Sequence, residues 1–180
     1  MIYQLKIVLK NQSPLIWVRL QLDGKTTLAT LQDDLDEAFD LSKMGVHHFK
    51  LSTISRDNSV SFPENTESPT AAFYESSTLN QCFYKRGYIG NDTYQNDVCT
   101  MVFNLFIEQI IQPEKGIDYP RCTTVCTHLS EFIVKNKPWF IDPLEGDLVQ
   151  EYATILTREE LVAHINAFLK KEALNPFDAF

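Results

Sequence analysis

Residues 2–22 read IYQLKIVLKNQSPLIWVRLQL, and their alternation decides the fold. Tyr3, Leu5, Ile7 and Leu9 share one face of a strand, while Gln4 and Lys6 lie on the other. The stretch NQSP at 11–14 carries turn residues. Beyond it Ile16, Val18, Leu20 and Leu22 again share a face, with Trp17, Arg19 and Gln21 opposite. Two period-two segments joined by a short turn predict a hairpin with one apolar side. Trp17 and Arg19 stand on its other side, where an indole beside a guanidinium fork suits capture of a carboxylate, a phosphate or an extended peptide. The same pair also suits simple packing of the guanidinium on the ring, worth about 1 kcal/mol.

Working outward, TTLATLQDDLDEAF (26–39) has Leu28, Leu31, Leu35, Ala38 and Phe39 at helical spacing, with Thr27 as the expected N-cap. Its acids, Asp33, Asp34, Asp36 and Glu37, are expected mostly on the outer face. VHHFKLSTI (46–54) reads as a third strand. Strand–strand–helix–strand predicts an α+β fold, a small mixed sheet packed on one helix. Residues 55–70 read as a loop. STLNQCFYKR (77–86) reads as a short helix closing at Gly87, and GYIGNDTYQND (87–97) as turn-rich. CTMVFNLFIEQII (99–111) is a long strand with so few polar residues that burial on both faces is expected. A short helix is expected at THLSEFIVKN (127–136). In TREELVAHINAFLKKEAL (157–174), Thr157 and Glu160 form a capping box ahead of a stripe of Leu161, Val162, Ile165, Phe168 and Leu169. The predicted organisation is a domain over 1–126 with a helical extension, 127–180, packed on it. Phe177 and Phe180 in the tail suit folding back or contact with another chain.

The chain has 180 residues, 44% of them hydrophobic and 12% aromatic, as in globular proteins. With 24 acids against 16 bases the formal net charge is -8, which repels phosphate backbones and argues against nucleic acid as a partner. Lys6 and Lys10 interrupt the N-terminal apolar pattern, so it is no signal-peptide core, and no run is long enough to span a membrane. The four cysteines lack scaffold-like spacing, which suits free thiols in the cytoplasm.

Local motifs for chemistry are sparse. No Walker loop, nucleophile elbow or H-E-x-x-H occurs, and no cofactor is expected. His47 and His48 are neighbours on a strand, so one faces each way; His48 is the candidate for the binding surface. Cys122, Cys126 and His128 are spaced C-x3-C-x-H, and Cys99 could complete a zinc set in space, although a second ligand pair is missing from the sequence. Glu108 is the one acid in the long apolar strand, a candidate acid or base whose ordinary role is pairing with a cation.

These segments, taken in order, resemble the plasmid pRiA4b ORF-3-like family. IYQLKIVLKNQSPLIWVRL, TTLATLQDDLDEAF and HHFKL are similar to its opening strand, its Pro-Pro-Ile-Trp-Arg-Arg-like strand, its Thr-Leu helix and its His-x-Phe strand. IEQIIQPEKGIDYPRC (107–122) is similar to its Leu-Glu-Lys-Ile, Pro-Glu and Tyr-Pro-x-Cys run. The resemblance covers about residues 1–122 and implies a β-grasp-like α+β core, in a family carried on plasmids, transposons and bacterial chromosomes. Trp17 and Arg19 fall where the family keeps Trp and Arg, but its second arginine is Val18 here. QNDVCTMVF (95–103) replaces its Tyr-Asp-Phe-Gly-Asp with the following Trp and His, and the Pro-Pro-Glu-Asp stretch after Tyr-Pro-x-Cys is absent.

Function is thus expected to be binding rather than catalysis: a protein-binding or adaptor domain using Trp17, Arg19, His48 and a sheet edge, with another protein or a second copy as partner. The alternatives are a metal-dependent or hydrolytic site at Cys122, Cys126 and His128, with Cys99 and Glu108, and an acidic nucleic-acid mimic acting through 27–40.

Overall fold

A computed structural model describes residues 1–51, 71–136, 139–141, 148–150 and 154–173. The opening hairpin is present: β1 (Ile2–Leu9) pairs antiparallel with β2 (Ile16–Asp23), setting Leu5 opposite Leu20, Lys6 opposite Arg19 and Ile7 opposite Val18. Helix α1 (Leu28–Phe39) follows, its N-terminus capped by the Thr27 hydroxyl, which accepts from the Thr30 amide at 3.1 Å. Strand β3 (Val46–Leu51) comes next, then helices α2 (Ala71–Ser76) and α3 (Leu79–Cys82). The rest comprises β4 (Gly87–Gln95), β5 (Thr100–Ile111), β6 (Arg121–Val125), α4 (Leu129–Lys135), the short pair β7 (Trp139–Ile141) and β8 (Leu148–Gln150), and α5 (Arg158–Ala173).

The α+β class holds, but the main sheet is not mixed. Its six strands run in the order β3-β4-β5-β1-β2-β6 with every pairing antiparallel. The reason is the segment expected to be turn-rich. It forms β4, which stands between β3 and the long strand β5 and lets every neighbouring pair run antiparallel. Gly87, expected as a helix cap, opens this strand opposite Ile107, while α3 closes earlier at Phe83.

One face of the sheet is covered and the other is open. Leu5, Ile7, Val18, Leu20, Phe103 and Leu105 are fully buried, in one cluster with Leu28, Leu31, Leu35 and Phe39 of α1. The Phe39 and Phe103 rings lie 4.6 Å apart. Helix α5 adds Leu161, Ile165 and Leu169 to the same cluster, and its Thr157–Glu160 capping box forms. On β5, burial on both faces is not found. Phe103, Leu105 and Ile107 are buried, whereas Val102, Asn104, Phe106 and Glu108 alternate with them half-exposed. Sheets covered on one side alternate in this way. The apolar outward residues belong instead to the surface described next. The loop at 55–70 and the tail with Phe177 and Phe180 lie outside the described residues.

Candidate functional site

Three local irregularities shape the open face. Opposite β1 the register slips so that Gln4 faces Gln109 and Leu5 faces Ile107, leaving Glu108 as an extra residue. On β6, Thr123 is extra between the partners of Arg19 and Leu20, and on β4 Ile89 is extra between Tyr88 and Gly90. Such bulges re-aim side chains. Here one turns Glu108 to meet Arg19 across β1.

The Arg19 guanidinium donates to both carboxylate oxygens of Glu108, Nε to Oε2 at 2.5 Å and Nη2 to Oε1 at 2.9 Å, and Gln4 Nε2 donates to Oε2 at 3.0 Å. These donors hold the Glu108 carboxyl below its ordinary range, the Arg19 hydrogen bond first, against a smaller opposing effect of burial. The polar chain continues from Gln21 Nε2 to Gln4 Oε1 at 2.9 Å and from Arg121 Nε to Gln21 Oε1 at 2.7 Å. Trp17 carries the Lys6 ammonium over its ring at 4.6 Å and the Arg19 guanidinium at 5.3 Å. Beside this cluster the Tyr88 and Phe106 rings lie 5.5 Å apart. Lys6, Arg19, Arg86, Phe106 and Glu108 line a shallow depression.

The structure therefore brings Trp17, Arg19 and Glu108 together, with Glu108 paired to a cation. His48 lies on the same open face but on β3, four strand positions from β2 in the sheet order. At about 4.8 Å per strand it is roughly 19 Å away. The two edges of the sheet also differ. On β6 the Asn166 side chain of α5 accepts from the Cys122 amide at 2.7 Å and donates to the Cys122 carbonyl at 3.0 Å. This amide stands where a further strand would pair. On the β3 edge the Phe49 amide donates to the Tyr74 hydroxyl of α2 at 3.3 Å.

The cysteine–histidine set is dispersed. Cys122 is buried on the core side of β6, and burial pushes its thiol up to about 12. The Cys126 sulfur accepts from the Trp17 amide at 3.3 Å, Cys99 precedes β5, and His128 is exposed beside Glu131. Among the described residues no group of three or more His, Cys, Asp or Glu side chains is arranged to hold a metal ion.

A second constellation escaped the sequence. His47 lies between two carboxylates, its Nε2 2.8 Å from Asp36 Oδ1 of α1 and its Nδ1 2.5 Å from Asp92 Oδ2 of β4. The three side chains are 5%, 9% and 0% exposed, respectively. Burial alone would depress the imidazolium, but hydrogen bonds to Asp36 and Asp92 outweigh it and raise its pKa to about 9. Asp92 is pushed up by burial against the hydrogen bond from His47, and among the described residues its Oδ1 has no hydrogen-bond partner. Asp34 is buried as well, so Asp34 and Asp36, two of the four acids expected mostly on the outer face of α1, are buried. They flank the apolar stripe, one on each border. The signal for His47 was present: it shares strand parity with Phe49 and Leu51, whereas His48 shares parity with Lys50.

An antiparallel six-stranded sheet, helices against one face and an open face with paired charges and aromatic rings, defines the molecule as an α+β protein with an exposed sheet surface. Residues 1–129 match the family model of the plasmid pRiA4b ORF-3-like protein, and the chain belongs to that family. A crystal structure of a protein of unknown function from Methanosarcina mazei Go1 is similar, with a TM-score of 0.55 and 20% identity over 69% of this chain and 68% of that one. That likeness concerns the fold alone. A search of curated proteins gives no match. Among the described residues no helix is long and apolar enough to cross a membrane.

Proposed function

We propose that this protein is a non-enzymatic binding module, an adaptor, that receives an extended segment of another protein on the open face of its sheet. The observation that carries this reading is the Arg19–Glu108–Gln4 cluster. It is a carboxylate-binding geometry assembled from three strands, half-exposed and braced by Trp17. Preorganised, partly desolvated polar groups beside exposed aromatic rings are what a binding surface needs, because little ordering remains to be done on association. Strand β3, with His48 on it, is the edge on the far side of the same face, and pairing of a further strand there would have to displace the Tyr74 hydroxyl from the Phe49 amide. The family's plasmid namesake supports a setting on mobile elements.

The test is capture of a partner by the wild-type chain and by Trp17→Ala and Arg19→Ala. Both variants are expected to retain a cooperative melt and to lose capture. A wild-type chain with no reproducible partner, or variants that melt normally and capture as well as wild type, would refute the reading.

A further inference from the structure

The formal net charge of -8 conceals an opposite local balance on the open face. The depression is lined by Lys6, Arg19 and Arg86 against Glu108, and Lys50 and Arg121 project from the same side of the sheet. Among the described residues neither Lys6 nor Arg86 has an ion-pair partner. Among the described residues, Glu114 pairs with Arg121 at 3.4 Å, whereas Asp33, Glu37 and Asp40 belong to α1 and its C-cap, behind the covered face. A surface of this kind attracts carboxylates.

The face also shows how it would hold one. The Glu108 carboxylate receives two hydrogen bonds from the Arg19 fork and one from Gln4, with the Lys6 ammonium adding attraction at longer range. A partner's carboxylate at the same place would find all of these donors in position, and the Tyr88–Phe106 pair beside them offers apolar area for a neighbouring side chain. Base stacking is served less well. The Trp17 ring already carries two cations, and Tyr88 and Phe106 are tilted at 56° to one another rather than forming a flat platform.

We propose that the segment received on this face is acidic, alternating carboxylates with apolar residues, and that one of its carboxylates replaces Glu108 on the Arg19 guanidinium. Glu108 is then an internal stand-in for the ligand, which occupies the fork until a partner displaces it. This inference rests on the binding-module reading and names the chemistry of its partner.

The experiment is fluorescence anisotropy with short labelled peptides of alternating glutamate and leucine, the matching glutamine–leucine peptide, and an oligothymidylate of similar length. The glutamate peptide is expected to bind, and more weakly as salt rises from about 50 to about 300 mM. Lys6→Gln and Arg86→Gln are each expected to weaken it by about three- to tenfold. Glu108→Gln is expected to strengthen it by a similar factor, because the fork is released. Among the described residues Lys6 and Arg86 make no ion pair, so their variants report on binding even if Glu108→Gln destabilises the sheet. Equal binding of the glutamine peptide would overturn the acidic preference and leave the binding module standing. Weaker binding by a folded Glu108→Gln variant would overturn the stand-in role. Tighter binding of the oligothymidylate would overturn the proposal in favour of a nucleic acid. Absence of peptide binding by both wild type and Glu108→Gln would overturn it too, whereas failure of the binding module itself would appear separately, as absence of any captured partner.

Discussion

Replacing His47 by glutamine removes an imidazolium held between two buried carboxylates, and the consequence depends on pH in a calculable way. The rise of its pKa from 6.5 to about 9 corresponds to about 3 kcal/mol, at roughly 1.36 kcal/mol per pH unit. Because the folded-state value lies above the unfolded one, this stabilisation is complete below about pH 6.5 and disappears as the pH climbs through about 9. Part of it offsets the burial of Asp92, whose carboxyl is itself pushed up, so the triad's net contribution is smaller than the gross figure. Removing one partner is another matter, since the carboxylates of Asp36 and Asp92 stay behind with no cation between them. His47→Gln is therefore expected to cost about 3 kcal/mol near pH 6.5, a fall of roughly 6–12 °C in melting temperature for a chain of this size. The two stability curves should converge toward pH 9.

The groups around the site do not confuse this window. Cys82 and Cys122 have thiols pushed by burial to about 11 and about 12, so their contributions are lost only as the pH rises above 9. The Tyr74 hydroxyl is raised by burial and by Asp92 against the lowering hydrogen bond from the Phe49 amide. The assay is urea unfolding of wild type and His47→Gln at pH 6.5, 7.5 and 9, followed by tryptophan fluorescence and circular dichroism. A stability difference that stays constant across the three values, or that grows with pH, would refute the assignment of a charged His47.

Two further outcomes follow from particular contacts. Gly90 has φ +131°, and a Cβ there would stand 2.3 Å from the Lys50 carbonyl oxygen, so Gly90→Ala is expected to lose more than about 2 kcal/mol; an unchanged thermal melt would show that the close β3–β4 approach is not real. Excess chelator is expected to leave the melting temperature where it is, because Cys99, Cys122, Cys126 and His128 do not assemble into a ligand set; a drop of several degrees, with stoichiometric zinc by elemental analysis, would refute that placement.

The elements legible in the sequence are those where burial and periodicity agree. The hairpin, α1 and α5 each present apolar residues at a single unbroken period, β5 shows a long β-branched and aromatic run, and each occurs within a residue or two of its expected place. Strand β4 was hidden because its core positions are spent on special needs. Gly90 is required by the approach of β3, Asp92 reaches for His47, and the bulge at Ile89 breaks the alternation that would have betrayed the rest. Without β4, the topology could only be guessed as mixed. Strand β6 is five residues long and carries one bulge, too short to show a period. The candidate site was half legible. Trp17 and Arg19 announced themselves by parity on β2, but Glu108 joins them only through a bulge, and no local pattern places it beside Arg19 across β1.

The same geometry separates the charge of the open face from the net charge of the chain. A sheet covered on one side sorts its charged residues by parity, and here the acids of α1 lie behind the core while Lys6 and Arg86, with Arg19 and Arg121 paired to Glu108 and Glu114, stand in front of it. A short ligand on the open face stands closest to the local cations, while the α1 acids lie across the core. A long polyanion cannot stay beside those cations alone and meets the whole negative chain. The -8 balance thus argues against extended nucleic acid while leaving a short acidic segment well suited to the face. Raising the salt should weaken such a segment's binding, because the attraction that selects it is a surface attraction; a contact held mainly by the Tyr88–Phe106 pair would be nearly indifferent to salt.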